Sequence, residues 1–421
     1  MARRVTRSIG CLALAGALWA WAGCRAATEV PGEPRSSSPV VRVAVFNTAL
    51  SRDEPGALAE AVGDFGQGDL APREAWQPDP KIAAIVEVLA RVDPAVVVLL
   101  EVDADAAERL AEGLPRHLPD GEGWAAQRLA YSQVYVPEVN TGVPSSVDLD
   151  RDGRVGGPGD AYGWGRYPGH YGLVVLAKDG VLIDRGAIRT FRNLKWIEFP
   201  GNVMPIDWYG DAAAHVRLSS KTHADVPIVA YGSRLHLLVS HPTPPVFDGP
   251  EDRNGRRNHD EVAFWVKYLS GVPFTDDAGV TAALDERASA VVLGDLNADP
   301  HDGDSFGLAI NRLLAHPRLD GMDRTPRSDG AVEAAAKQGG VNAGHAGPAE
   351  FDTADFPDES PRGPGNLRVD YVLPPATEAE PAWRVLDAGV FWPAEGQPGA
   401  EAARASDHRL VWVDLAVPAE P

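Results

Sequence analysis

Eight side chains spread along the 421 residues are of types that bind metal ions, move protons or hold phosphate: Asn47, Glu101, His241, Asp295, Asn297, Asp370, Asp407 and His408. Each stands at or beside an apolar run. Phe46-Asn47-Thr48 closes the first run, Leu100-Glu101-Val102-Asp103 the second, and Val239-Ser240-His241 a later one that leads into prolines. Gly294-Asp295-Leu296-Asn297 places two polar side chains two apart, so on an extended segment they point the same way. Arg368-Val369-Asp370-Tyr371 sets a carboxylate within an apolar stretch, and Ser406-Asp407-His408 precedes the last one. Taken singly, each has a plain reading as a turn residue, a strand end or a surface ion pair. Taken together they are poorly explained by packing, because an unpaired carboxylate ending a buried strand is costly. Carboxylates and amides supply the hard oxygen donors a divalent cation takes, and imidazoles an acid, a base or a phosphate contact.

An alternation of strands and helices must hold these residues. Val41 to Phe46 is rich in β-branched residues. Asp79-Pro80 reads as a helix cap and first-turn proline, followed by Ile82, Ile85, Val86 and Leu89 at helical spacing and stopped by Asp93-Pro94. The unbroken apolar run Ala95 to Leu100 suits a strand covered on both faces. Leu173 to Ala177, Arg234 to Ser240, Ala290 to Leu293, Arg368 to Leu373 and Leu410 to Leu415 read as further strands. Asn258 and Glu261 are spaced as a capping box before Val262, Trp265, Val266 and Leu269, with Gly271 as the stop. No internal repeat is visible, and the Gly/Pro/Asp-rich stretches at about 139–170 and 326–366 read as insertions. The pattern predicts a layered α/β sandwich with its chemistry on loops at one sheet edge.

In this order, the eight residues and their flanking motifs resemble the endonuclease/exonuclease/phosphatase superfamily, the deoxyribonuclease I-like and exonuclease III-like group. The resemblance spans residues 41–417. It implies a four-layer α/β sandwich, with two facing, mostly antiparallel sheets flanked by helices, and hydrolysis of a phosphate mono- or diester with Mg²⁺ (or Mn²⁺). A divalent cation polarises phosphoryl oxygen and stabilises developing charge, and Mg²⁺ usually takes only one or two carboxylates. Glu101 and Asp407 fit that need, with Asn47 a neutral ligand or phosphate contact. By the same resemblance Asp295 orients or deprotonates the attacking water, and Asn297 donates to a phosphoryl oxygen. His408, held in one tautomer and kept charged by Asp370, binds the phosphate, and His241 contacts it from the other side. The general base is a histidine in one assignment and an aspartate in another, and both stay open. His170 is the candidate orienter of His241.

The formal charge of −21 disfavours tight non-specific binding to long nucleic acid. Arg3, Arg4 and Arg7 followed by the apolar stretch Ile9 to Ala22 read as a signal peptide over residues 1–24, too short for an ordinary membrane span. Residues 25–40 read as a linker. Trp21-Ala22-Gly23-Cys24 resembles a lipoprotein processing box, departing at Trp21, and simple cleavage near Ala26-Ala27 is the alternative. Without the three arginines a mature chain would stand at −24. An exported chain is expected: periplasmic, anchored at the cell surface through Cys24, or secreted. No obligate protein partner is implied. The substrate reading is a small phosphate ester, with an extracellular nuclease as the second enzyme reading and a catalytically silent surface binding protein as the third.

Two further features concern loops. Asp148-Leu149-Asp150-Arg151-Asp152-Gly153 has the alternating carboxylates and sixth-position glycine that open an EF-hand loop, suggesting a structural Ca²⁺. It departs at Gly159, where Asp160 is the candidate substitute. Trp164, Tyr167, Trp208 and Tyr209 are candidates to stack on a base or headgroup, although burying glycine-rich loops explains them better. Arg253, Arg256 and Arg257 suit a second phosphate or a solvated helix start equally.

Overall fold

In the computed structural model, residues 38–63, 78–118, 128–320, 324–358, 363–376 and 383–418 are described. The signal region, Cys24 and most of the linker lie outside them. Strands form at the seven runs expected from the sequence and at five further places: β1 Val40–Asn47, β2 Val96–Leu100, β3 Gln133–Tyr135, β4 Leu173–Ala177, β5 Val181–Ile183, β6 Arg189–Thr190, β7 His223–Ala230, β8 Ser233–Ser240, β9 Ala290–Asp295, β10 Asp370–Leu373, β11 Arg384–Phe391 and β12 Leu410–Ala416, of which β3, β5, β6, β7 and β11 were not expected. Two further pairs of two-residue strands lie apart from these.

The first six-stranded sheet has the order β11-β12-β1-β2-β4-β3, and the second runs β10-β9-β8-β7-β5 with β6 also on β7. Each contains a single parallel pair, β1 with β2 and β8 with β9, and the other pairs are antiparallel. A helix crosses over within each parallel pair, as parallel strands require. These are α2 Pro80–Val92 in the first sheet, and in the second a long helix, Arg253–Leu269. The remaining helices used below follow chain order around it: α1 Ala57–Val62, α3 Ala107–Gly113, α4 Arg253–Leu269, α5 Ala309–Leu314 and α6 Asp329–Gln338.

Alternation along each strand decides the layers. Val41, Val43 and Val45 of β1 join Leu235, Leu237 and Val239 of β8 in the core between the sheets. Ala44 and Phe46 point the other way, onto Ile82, Ile85 and Leu89 of α2 and Leu110 of α3. Behind the second sheet, Leu238 and Val292 meet Val262, Trp265 and Leu269 of α4 and Leu313 of α5. Full burial of each Val or Leu contributes roughly 1.5–3 kcal/mol, so three stacked apolar layers hold the two sheets and their helices in register. This is the four-layer α/β sandwich expected from the sequence.

The Asp79 carboxylate caps α2 by accepting from the amides of Lys81 and Ile82, and Asp93 closes it in a left-handed conformation, φ 58°. The capping-box reading at Asn258 does not hold. Helix α4 begins five residues earlier, and Asn258 and Glu261 are buried within it. Their polar groups serve neighbouring loops instead of their own helix end. The strand expected from Arg368 starts at Asp370.

Candidate active site

The site lies where β1, β2, β8 and β9 end. Asn47 is the last residue of β1, and Glu101 follows β2 directly. His241 follows β8, and Asp295 ends β9. Parallel pairing brings these ends together: Asn47 is in register with Leu100, and Leu293 with Val239. Gly294 permits the close approach, since a Cβ there would lie 1.9 Å from the Ser240 carbonyl oxygen. Antiparallel pairing then sets Asp370 of β10 opposite Asp295.

Asp295 is the meeting point. Its Oδ2 accepts from Asn47 Nδ2 at 3.0 Å and lies 3.4 Å from His241 Nε2 and 3.7 Å from His408 Nε2. Its Oδ1 accepts from the Asn297 amide at 2.9 Å. Burial opposes its charge, yet His408, His241 and Asn47 outweigh that, and its pKa is lowered. The same Asn47 Nδ2 lies 3.2 Å from Glu101 Oε1. Glu101 and Asn297 both sit in the left-handed region, φ 56° and 49°, an unfavourable conformation of the kind that gathers at functional sites.

His408 Nδ1 is 2.9 Å from Asp370 Oδ2, which also accepts from Thr353 Oγ1 at 2.9 Å. Burial would discharge the imidazole, but Asp370 and Asp295 override it and raise the pKa to about 10. His408 is therefore an imidazolium at neutral pH, with Nε2 facing Asp295. His241 is the opposite case. Burial and the neighbouring charge of Lys221 lower its pKa despite Asp295, so it is neutral. Two buried histidines thus flank one carboxylate in different charge states.

For a divalent cation, Glu101, Asn47 and Asp407 offer hard oxygens only, the set Mg²⁺ or Mn²⁺ favours. Among the described residues Asn47 Oδ1 accepts only from the Ala49 amide, at 3.1 Å, which leaves a lone pair open. Asp407 is exposed, its carboxylate 3.5 Å from Ser406 Oγ, which itself donates to the Asn47 carbonyl. Lys81 feels the charges of both Glu101 and Asp407, so their fields overlap. These residues fit the cation. Asp295, Asp370 and His408 also cluster closely enough to hold an ion. His408 is an imidazolium engaged by Asp370 through Nδ1, however, and an imidazolium is no ligand.

The structure therefore brings Asn47, Glu101, His241, Asp295, Asp370 and His408 into one connected group. Asn297 joins it by its backbone, while its amide donates to the Pro242 carbonyl at 3.1 Å and ties the β8 and β9 loops together. His170 does not orient His241. It stacks on Tyr167, ring centroids 4.7 Å apart, and its Nδ1 accepts from the Arg166 amide, while His241 Nδ1 is buried without a partner among the described residues. Arg257 donates to the carbonyls of Leu218, Tyr162 and Arg217, Arg253 lies over Trp208, and Arg256 lies over Phe306. These arginines are structural braces or cover aromatic rings. Tyr167 donates to the Arg52 carbonyl and Tyr209 is buried, while Trp164 is exposed.

The sequence reading missed three residues here. Lys221 is almost wholly buried beside the site, and Asn258 and Glu261 of α4 hold its loops. Asn258 Nδ2 donates to the carbonyls of Thr243, Leu296 and Asn297. Glu261 accepts from the amides of Ser220 at 2.6 Å and Thr243 at 2.7 Å. A polar pair at helical spacing was the available signal.

The acidic loop brings three of its carboxylates together. Asp148, Asp150 and Asp152 present oxygens close enough to share an ion, and Gly153 donates to Asp148 at 3.0 Å. Asp160 departs from the expectation. It is buried, and its oxygens accept from the amides of Leu149 and Gly156 at 2.6 Å each, so it closes the loop instead of facing its centre.

The model of the Endonuclease/Exonuclease/phosphatase family matches residues 46–408. Among solved structures, the chain is similar to an endonuclease/exonuclease/phosphatase from Beutenbergia cavernae, with 20% identity, 91% of this chain and 72% of that one covered, and a TM-score of 0.47. A Bacteroides vulgatus structure of the same description has 13% identity, 90% and 98% coverage and a TM-score of 0.44. The human Nocturnin catalytic domain, with bound sulfate anion, has 15% identity, 90% and 93% coverage and a TM-score of 0.41. No curated protein matches the sequence. The chain belongs to the endonuclease/exonuclease/phosphatase family, whose members are divalent-metal-dependent hydrolases of phosphoester bonds.

Proposed function

We propose that this chain is an exported hydrolase of a small phosphate mono- or diester, using Mg²⁺ or Mn²⁺ held by Glu101, Asp407 and Asn47. The observation that carries it is Asp295, buried between Asn47 and two histidines, one charged and one neutral. When bound, the cation would polarise a phosphoryl oxygen and offset the charge of the leaving group. Asp295 or neutral His241 takes the proton of the attacking water as its oxygen bonds to phosphorus and the ester bond breaks. Charged His408, fixed by Asp370, donates to a phosphoryl oxygen, and Asn297 keeps the two loops in register. Nuclease activity is the second reading, and the charge of −21 counts against it for long nucleic acid. The intact group around Asp295 likewise counts against a silent binding protein.

The export signal and Cys24 support a periplasmic, anchored or secreted protein, and the loop Asp148 to Gly153 supports a structural Ca²⁺. Purified protein with Mg²⁺ should hydrolyse bis-nitrophenyl phosphate or a small natural ester, and chelator should stop it. Strong hydrolysis of DNA with none of small esters would instead favour the nuclease reading. No hydrolysis of any ester with either metal would overturn the proposal.

A further inference from the structure

Lys221 lies two residues before β7, outside every motif that defined the site. It is 7% exposed, and no acceptor among the described residues receives its ammonium, although every other strongly buried charge of the site has a partner. Burial lowers its pKa, opposed by the nearby charges of Glu261, Glu101 and Asp295. The side chain is mostly buried while its Nζ still reaches solvent with no acceptor beside it among the described residues, which leaves the ammonium open to an arriving anion.

Its neighbours show the same deficit. The hydroxyls of Thr141, Ser220 and Thr243 and the Nδ1 of His241 are buried and lack hydrogen-bond partners among the described residues. These groups belong to one place. Glu261 holds the Ser220 and Thr243 amides with its two oxygens. Asn140 donates from its amide to the Lys221 carbonyl at 2.9 Å, which brings Thr141 alongside. Gly163 approaches so closely that a Cβ there would lie 1.8 Å from the Ser220 carbonyl oxygen. The long 139–170 insertion thus packs against the segment that carries Lys221.

We propose that Lys221, with the hydroxyls of Thr141, Ser220 and Thr243, forms an oxyanion pocket on the His241 side of the site that takes a substrate phosphate. An ammonium and three hydroxyls can all donate, which suits phosphate oxygens and suits a cation poorly. The pocket receives either an oxygen of the scissile phosphoryl group or a neighbouring phosphate of the same substrate. This deepens the hydrolase reading and rests on it for the identity of the ligand.

The test is binding of inorganic phosphate, followed by calorimetry with Mg²⁺, to wild type, Lys221→Met, Lys221→Gln and Thr243→Val. Lys221→Met and Lys221→Gln should each weaken phosphate binding about tenfold or more, and Thr243→Val severalfold, with melting temperatures that stay cooperative. Thr243→Val keeps the backbone amide that Glu261 holds, so it informs even if neither Lys221 variant folds. Steady-state kinetics separate the two sources. A scissile contact lowers kcat on nitrophenyl phosphate, whereas a neighbouring-phosphate contact raises KM only for substrates with a second phosphate. Wild type that binds no phosphate, or variants that bind it as wild type does, would overturn the pocket. Phosphate binding that depends on Lys221 in a protein that hydrolyses no ester would keep the pocket and remove the hydrolase reading.

Discussion

Asp295 touches Asn47 and both site histidines, so neutralising it changes the field at three neighbours at once. Asp295→Asn and His408→Ala should each lower kcat by about two orders of magnitude or more in Mg²⁺, with near-UV circular dichroism unchanged. Full activity in either variant would sink the mechanism. Asp352 offers a cleaner pH readout, because it is buried next to Thr353, which holds Asp370, and has no site role of its own. Burial, with Asp299, Asp302 and Glu350 nearby, raises its pKa to about 8. Between the ordinary carboxyl value and about 8, the folded protein keeps a proton that the unfolded chain has lost. The associated stability is fully present below the unfolded pKa and is lost as pH rises toward about 8. Asp352→Asn should therefore raise the melting temperature at pH 8, with the gain shrinking steadily toward pH 5. A difference independent of pH would mean that the carboxyl is ionised throughout.

Helix α4 shows why local sequence pattern reached some elements and misread others. The ends of β1, β2, β8 and β9 were readable because polar residues interrupt apolar runs there, and strand order in the sheets did not have to be known. The start of α4 was misread because Asn258 and Glu261 resemble a cap, while their actual partners are loops 15 to 41 residues away in sequence. Lys221 was invisible for the same reason: Ser219-Ser220-Lys221-Thr222 carries no periodicity, and the groups that hold this segment, Asn140 and Glu261, are far away in sequence. Asn258→Ala should leave three buried carbonyls short of a donor, costing about 1–3 kcal/mol in urea unfolding, and should also lower kcat. Unchanged kcat in the still-folded variant would make Asn258 a stability residue alone. The acidic loop makes a parallel prediction at the same scale. Asp148, Asp150 and Asp152 converge, and mutual repulsion with Asp160 adds to burial in raising the Asp150 pKa. Calcium should raise the melting temperature of wild type, and Asp150→Ala with Asp152→Ala should abolish that shift. Equal calcium stabilisation in both would leave the loop as solvated chain.

At the scale of the whole molecule, charge and site pull in opposite directions. A formal charge of −21 repels an incoming polyanion over about a Debye length, roughly 8–10 Å at physiological salt, whereas a small ester feels mainly the charges lining the cleft. Proteins that bind nucleic acid through basic surfaces lose affinity as salt rises, because counterion release weakens. This chain should show the reverse sign. Between low and physiological ionic strength, kcat/KM on duplex DNA should rise as screening removes repulsion, while kcat/KM on bis-nitrophenyl phosphate should change much less. The comparison is internal to one protein preparation, so a general effect of salt on Mg²⁺ binding or folding would move both substrates together. A fall in DNA cleavage with added salt, with the small ester unaffected, would mean that a local basic path guides the polymer. It would also move the nuclease reading ahead of the small-ester one.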